Sequence, residues 1–311
     1  MEILKSIKKI PGGLLIVPMI ITSIINTFYP IIFTVGGITP SILTTKGTMT
    51  LIIILLFISG TQFKISQVKP MLKIGGTLIL FKLFLVYLIS IFFVNVFGMQ
   101  SILGISILSI TSVFISNNPG LYLALNDSFG DEIDASVFGL LNLIIVPSIP
   151  VMILSSVNGQ SIDFISLFRT ISPFILGVIF GNLDKNIRFT YQSATNLLLP
   201  FLGISFGGSI NILNAINSGL TGVILTLSFY ILITLPMFIF EKKILKRTGF
   251  ISIASASVAG TSLAAPVLAA QINTSYESFV STSISQIALV MIITTIITPV
   301  LTKKLIPKKA L

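Results

Sequence analysis

Asn117 and Asn118, followed at once by Pro119 and Gly120, are the least hydrophobic pair inside any long apolar stretch of this chain. Amides held away from water need partners. Their N–H groups suit a carboxylate or hydroxyl of a small solute, and their carbonyl oxygens suit a cation. Pro119 lacks a backbone donor and disfavours helical geometry at Asn118, while Gly120 offers no resistance to an unwound backbone. A second stretch, "SASVAGTSLAAPVLAA" from Ser255 to Ala270, sets Gly260, Thr261, Ser262 and Pro266 in equally apolar surroundings. Both read as interrupted helices, whose freed amides and carbonyls make sites for anions and cations. A proline kink eased by small residues is the competing structural reading.

Other side chains are candidates for the same chemistry. Thr61 and Gln62 close one apolar stretch, and Ser209 and Asn211 close another. Lys82 is the one basic residue well inside an apolar stretch, which makes it a candidate functional charge unless it snorkels to an interface. Asp127, Asp131, Glu132 and Asp134 read as a solvated acidic loop. There is no histidine and no cysteine, so thiolate metal sites and imidazole catalysis are excluded. The zinc-protease, nucleophile-elbow and phosphate-loop motifs are absent. No enzyme and no cofactor are expected, and an ATP-hydrolysing pump is disfavoured.

These groups must be positioned by membrane-spanning helices. Of 311 residues, 54% are hydrophobic and 9% charged, with a mean hydropathy of +1.06; soluble domains carry about 25% charged residues. Apolar stretches long enough to cross a bilayer fall near 12–29, 42–62, 72–97, 101–127, 133–154, 163–182, 192–212, 217–240, 250–272 and 279–302. That predicts an all-α membrane protein of about ten spans with short connections and no cleaved signal peptide. With spans alternating, all 19 Lys and Arg except Lys46, Lys82 and Arg169 fall on one side, so both termini are expected in the cytoplasm. The formal charge of +10 is then topological and directed at the lipid surface; no nucleic-acid partner is expected.

The chain also matches itself weakly at an offset of 147 residues. Gly60 falls on Gly207, Ile65 on Ile212, Gly75 on Gly222, Pro119 on Pro266, Leu121 on Leu268 and Ser136 on Ser283. A repeat of five spans re-enters the membrane from the opposite face, so the expected organisation is two inverted five-helix repeats, 1–155 and 156–311. Secondary transporters are commonly built this way.

Five stretches carry a resemblance. "SIKKIPGGLLIVPMI" near the N-terminus, "ISGTQFKIS" from Ile58, "NNPGLYLAL" from Asn117, "GVIFGNLD" from Gly177 and "ASASVAGTSLAAPVLAA" from Ala254 resemble the 2-keto-3-deoxygluconate permease family, nearly end to end. The resemblance implies the architecture of the bile-acid sodium symporters: a panel domain and a core domain, with broken fourth and ninth helices crossing in the core. It implies uptake of a small anionic sugar acid by symport across the cell inner membrane, coupled to protons. It also places Asn117 and Asn118 where the bile-acid relatives bind sodium, so sodium is the second candidate ion. Where the family pattern carries intramembrane carboxylates, this chain has Ile115, Ile144, Asn211 and Gln271. A sodium-coupled or uncoupled transporter of another small carboxylate, a passive facilitator, and a membrane scaffold or sensor are the competing functions. Oligomeric state is not legible.

Overall fold

The computed structural model describes residues 7, 13–33, 45–65, 68–98, 103–144, 148–159, 164–208 and 210–307. They are helical almost throughout: α1 Gly13–Phe28, α2 Thr45–Gln62, α3 Leu72–Phe97, α4 Ile107–Ile115, α5 Pro119–Phe129, α6 Glu132–Ile144, α7 Ser148–Val157, α8 Phe164–Leu183, α9 Lys185–Tyr191, α10 Ala194–Gly207, α11 Ile212–Asn217, α12 Gly219–Lys243, α13 Phe250–Ala254, α14 Ala265–Ile272 and α15 Glu277–Leu305. Among the described residues α3, α12 and α15 are long and apolar enough to cross a membrane singly, with mean hydropathies of 2.5, 2.4 and 2.2. α1 and parts of α2 and α8 are shorter apolar helices.

The chain divides into two compact units, each drawing on both halves of the sequence. One is built within 1–65 and 168–217, the other within 66–167 and 218–311.

The first unit is held by glycines. Gly60 on α2 meets Gly177 on α8 so closely that a Cβ on either would overlap the opposite backbone, at Phe174 or Phe57. Gly181, one turn on, lies against the Thr61 carbonyl. α10 repeats the device against α1, with Gly203 on Leu15 and Gly207 on Met19 and Thr22. Both α8 and α10 thus carry a Gly-x-x-x-Gly face, the pattern that lets helix backbones approach where no hydrophobic effect drives them together.

The second unit contains the interrupted helices. α3 is apolar all round, so composition alone does not separate its faces. Leu80, Phe84, Leu88 and Phe92 point outwards, whereas Leu78, Lys82, Val86, Ser90 and Phe93 point inwards at helical spacing. Gly75 lies against Val137 of α6, and Gly222 of α12 against Leu289 of α15. α3 and α12 each contain a widened π turn, at Leu72–Gly76 and Tyr230–Thr234, a departure frequent near functional positions.

Contacts between turns group them by end. Gln286 near the start of α15 donates to the Gly104 carbonyl at 2.6 Å and to the Thr221 hydroxyl at 3.1 Å, and Asn158 after α7 donates to the Tyr276 hydroxyl. A separate group joins the α5–α6 turn to the α12–α13 turn: Arg247 contacts Asp131 at 2.7 Å and Asp134 at 2.8 Å. The acidic stretch expected to be a solvated loop is therefore corrected in part. Asp134 is buried in the first turn of α6, because the Arg247 guanidinium and the Asp131 N–H take up its carboxylate oxygens.

Candidate functional site

α4 ends at Ile115 and α5 starts at Pro119, leaving Ser116, Asn117 and Asn118 outside helical geometry. The turn between α13 and the 3₁₀ segment Gly260–Ala264 leaves Ser255 to Ala259 likewise irregular. Pro119 and Pro266 each occupy the first or second position of the helix that resumes, where a missing N–H costs nothing. Gly120 lies inside the first turn of α5, two residues beyond the irregular segment.

Unwound backbone in a dry interior must find partners. At the first break the Ser116 hydroxyl oxygen accepts from the Ala259 N–H at 2.8 Å and from the Ser262 hydroxyl at 2.6 Å. The Lys82 ammonium, 2% exposed, donates to the Ser116 carbonyl and lies 5.8 Å from the centroid of Phe229. It does not snorkel. The Asn117 amide donates to the Leu141 carbonyl at 3.3 Å, and Asn118 caps α5 by accepting from the Leu121 N–H at 3.1 Å. At the second break α15 does the same work: Thr294 accepts from the Val258 N–H at 3.0 Å, and Thr298 donates to the Ala256 carbonyl at 2.5 Å.

The two breaks thus meet, joined through Ser116. Among the described residues, three buried oxygens next to this link in the chain or one turn from it have no hydrogen-bond partner: Asn117 Oδ1, Thr261 Oγ1 and Ser112 Oγ. Leaving a buried polar atom unpaired costs about 1–3 kcal/mol, so such atoms mark places where a ligand is worth having. The oxygens fit hydroxyl groups or a small cation; the Lys82 ammonium fits an anion.

The structure joins Lys82 and Ser262 directly through Ser116, and Asn117, Asn118, Pro119, Gly120, Gly260, Thr261 and Pro266 lie in the chain segments on either side of that link. Thr61 and Gln62 belong to the other compact unit, and their polar atoms are taken up there. Thr61 donates to the Ile58 carbonyl, and Gln62 to the Thr61 hydroxyl and the Arg188 carbonyl. Arg188 in turn reaches the Gly181 carbonyl at 2.8 Å and Asn182 at 3.2 Å, joining the ends of α2 and α8. Asn211 lies half-buried between α10 and α11; Ser209 lies outside the described residues. Ile115 and Ile144 are buried and Gln271 is exposed. Sequence reasoning misses Ser116, Thr294 and Thr298. The threonines, spaced by four, are the available signal for a polar face on α15.

Described residues that are helical almost throughout, with three helices long and apolar enough to cross a bilayer, are those of an integral membrane protein. The chain belongs to the 2-keto-3-deoxygluconate permease family, whose model matches residues 4–310. It is 30% identical to the 2-keto-3-deoxygluconate permease of Enterobacter sp. (strain 638), over 97% of this chain and 92% of that one. It is 31% identical to 2-keto-3-deoxygluconate permease 1 of Salmonella typhimurium, over 100% and 97%, and 30% identical to the permease of Bacillus subtilis, over 99% and 96%. It is a transporter and not an enzyme.

Proposed function

We propose that this chain imports 2-keto-3-deoxygluconate as an ion-coupled secondary transporter working by alternating access, with the solute held at the crossing of the interrupted helices. The observation that carries the reading is the meeting of the two breaks through Ser116 and Ser262, with the Lys82 amine on the Ser116 carbonyl and unpaired oxygens on the chain neighbours Asn117 and Thr261. A sugar acid offers hydroxyls to the unpaired oxygens and a carboxylate to the protonated amine, and the positive ends of the resuming half-helices add to the anion's stabilisation. The names of the relatives support the substrate.

Two inverted repeats of five spans, with both termini cytoplasmic, complete the reading. Matched residues in the two halves have matched roles: Gly60 and Gly207 at tight helix crossings, Gly75 and Gly222 against neighbouring side chains, Pro119 and Pro266 at the starts of resuming helices. The grouping of alternate turns at the two ends supports spans that cross in turn. The positive-inside rule supplies the orientation.

The test is uptake of labelled 2-keto-3-deoxygluconate into proteoliposomes under an imposed proton gradient, an imposed sodium gradient, or neither. Accumulation above the external concentration under one gradient supports coupling and names the ion. Equilibration without accumulation supports the facilitator, and no uptake of this compound overturns the substrate.

A further inference from the structure

Lys82 is a buried titratable group in the middle of α3, and the elements packed on α3 pair it with no carboxylate. α4 and α7 carry no titratable residue. α6, packed on the π turn that opens α3, carries Glu132, which is exposed, and Asp134, which is held by Arg247. α12 brings Tyr230, whose hydroxyl pairs with Thr298, and Glu241, whose carboxylate accepts from the Ile251 and Ser252 N–H groups and the Ser252 hydroxyl. Lys242 and Lys243 end α12, Lys69 lies in the short helical turn before α3, and α3 itself adds only Lys73 and Tyr87. Among the described residues no ion pair includes Lys82. The Ser116 carbonyl, at the C-terminal end of α4, holds the nitrogen at the crossing but offers only the partial charge of a peptide dipole.

Among the described residues no carboxylate faces Lys82, and a bound anionic ligand would supply the missing negative charge. An amine sealed from water and a carboxylate beside it are thermodynamically linked: binding the anion favours protonation, and protonation favours the anion to the same degree. Resting on the transporter reading above, we propose that Lys82 is the proton-coupling residue. Each carboxylate bound at the crossing is accompanied by one proton taken from solvent, R–NH2 + H+ giving R–NH3+, and the two leave together on the other side. The pair is neutral, so no uncompensated charge is buried during transport. The proton is positioned on the interrupted helix itself, through the Ser116 carbonyl, where a change at the break is felt directly.

Calorimetry of the detergent-purified protein with 2-keto-3-deoxygluconate, in buffers of different ionisation enthalpy between about pH 6 and 9, counts the protons. Wild type is expected to take up close to one proton per ligand over part of this range, with affinity falling by about tenfold per pH unit there. Lys82→Arg, with a fixed charge, is expected to bind with no proton uptake and a flat pH profile. Lys82→Met is expected to bind at least about tenfold more weakly, also without uptake, while its unfolding temperature stays level or rises because a polar amine is no longer buried in an apolar interior. Wild-type binding with no proton uptake at any pH, or undiminished uptake in either variant, overturns the assignment. Absence of binding to wild type is a different result, which overturns the substrate reading and the proposal with it. Should Lys82→Met fail to fold, Lys82→Arg decides alone.

Discussion

The hydroxyl oxygen of Ser116 accepts the hydroxyl of Ser262 at 2.6 Å, across 146 residues of sequence. The same oxygen accepts the Ala259 N–H at 2.8 Å, so one serine side chain joins two unwound segments, and both of its lone pairs are used. It is the direct physical link between the halves of the site.

Ser116→Ala leaves the Ala259 N–H buried without an acceptor, which costs about 1–3 kcal/mol. Ser262→Ala removes a donor and leaves the other bond in place, costing about 1 kcal/mol. Thermal unfolding in detergent should therefore show a larger loss for Ser116→Ala. Equal losses, or the reverse order, would mean that the Ala259 N–H finds another partner.

Asn118 has a structural duty as the cap of α5 and, in the transport reading, a solute-facing one. Asn118→Ser keeps a capping oxygen, whereas Asn118→Ala loses about 1 kcal/mol of helix stability. Both variants should lose most uptake while remaining folded. Normal uptake by the serine variant would reduce Asn118 to a cap.

The Arg247 cluster predicts an acid limb in stability. Partial burial opposes the charge of Asp131, but the Asp134 N–H and the Arg247 guanidinium outweigh it and hold the carboxyl below the usual carboxylate range. A depressed pKa stabilises the fold above the unfolded-state value, about 3.9, and that contribution is lost as pH falls through the lower folded value. Unfolding temperature should hold level above about pH 5 and drop below pH 4. Asp131→Asn should flatten this limb, and an unchanged limb would place the sensitivity elsewhere.

Gly181→Ala drives a methyl group into the Thr61 backbone. The α2–α8 crossing must open, with an expected loss of about 1–3 kcal/mol. Folded yield and unfolding temperature report it, and a neutral result would show that the two helices separate freely.

Some of this molecule is legible along the chain because its cause is local. Proline and glycine write their effects into the backbone at their own positions, so residue types alone place both interruptions, at Asn118–Pro119 and around Gly260 and Pro266. The apolar stretches, the absence of imidazole and thiol, and the Gly-x-x-x-Gly spacing are local in the same sense. Ser116 stands directly before the first interruption, but its role escapes such a reading because its partners, Ala259 and Ser262, lie 143 and 146 residues away. Gln62 reads as facing the solute, yet its amide is held by Arg188 from a distant helix. Asp134 reads as solvated, yet Arg247 reaches it from 113 residues away. Residue types and spacing determined that the chain enters a membrane, where its helices break, and that a lysine sits inside a span. Which break meets which, and which carbonyl holds that lysine, were decided only by tertiary structure, because a hydrogen bond between distant segments exists only once packing has brought them within about 3 Å.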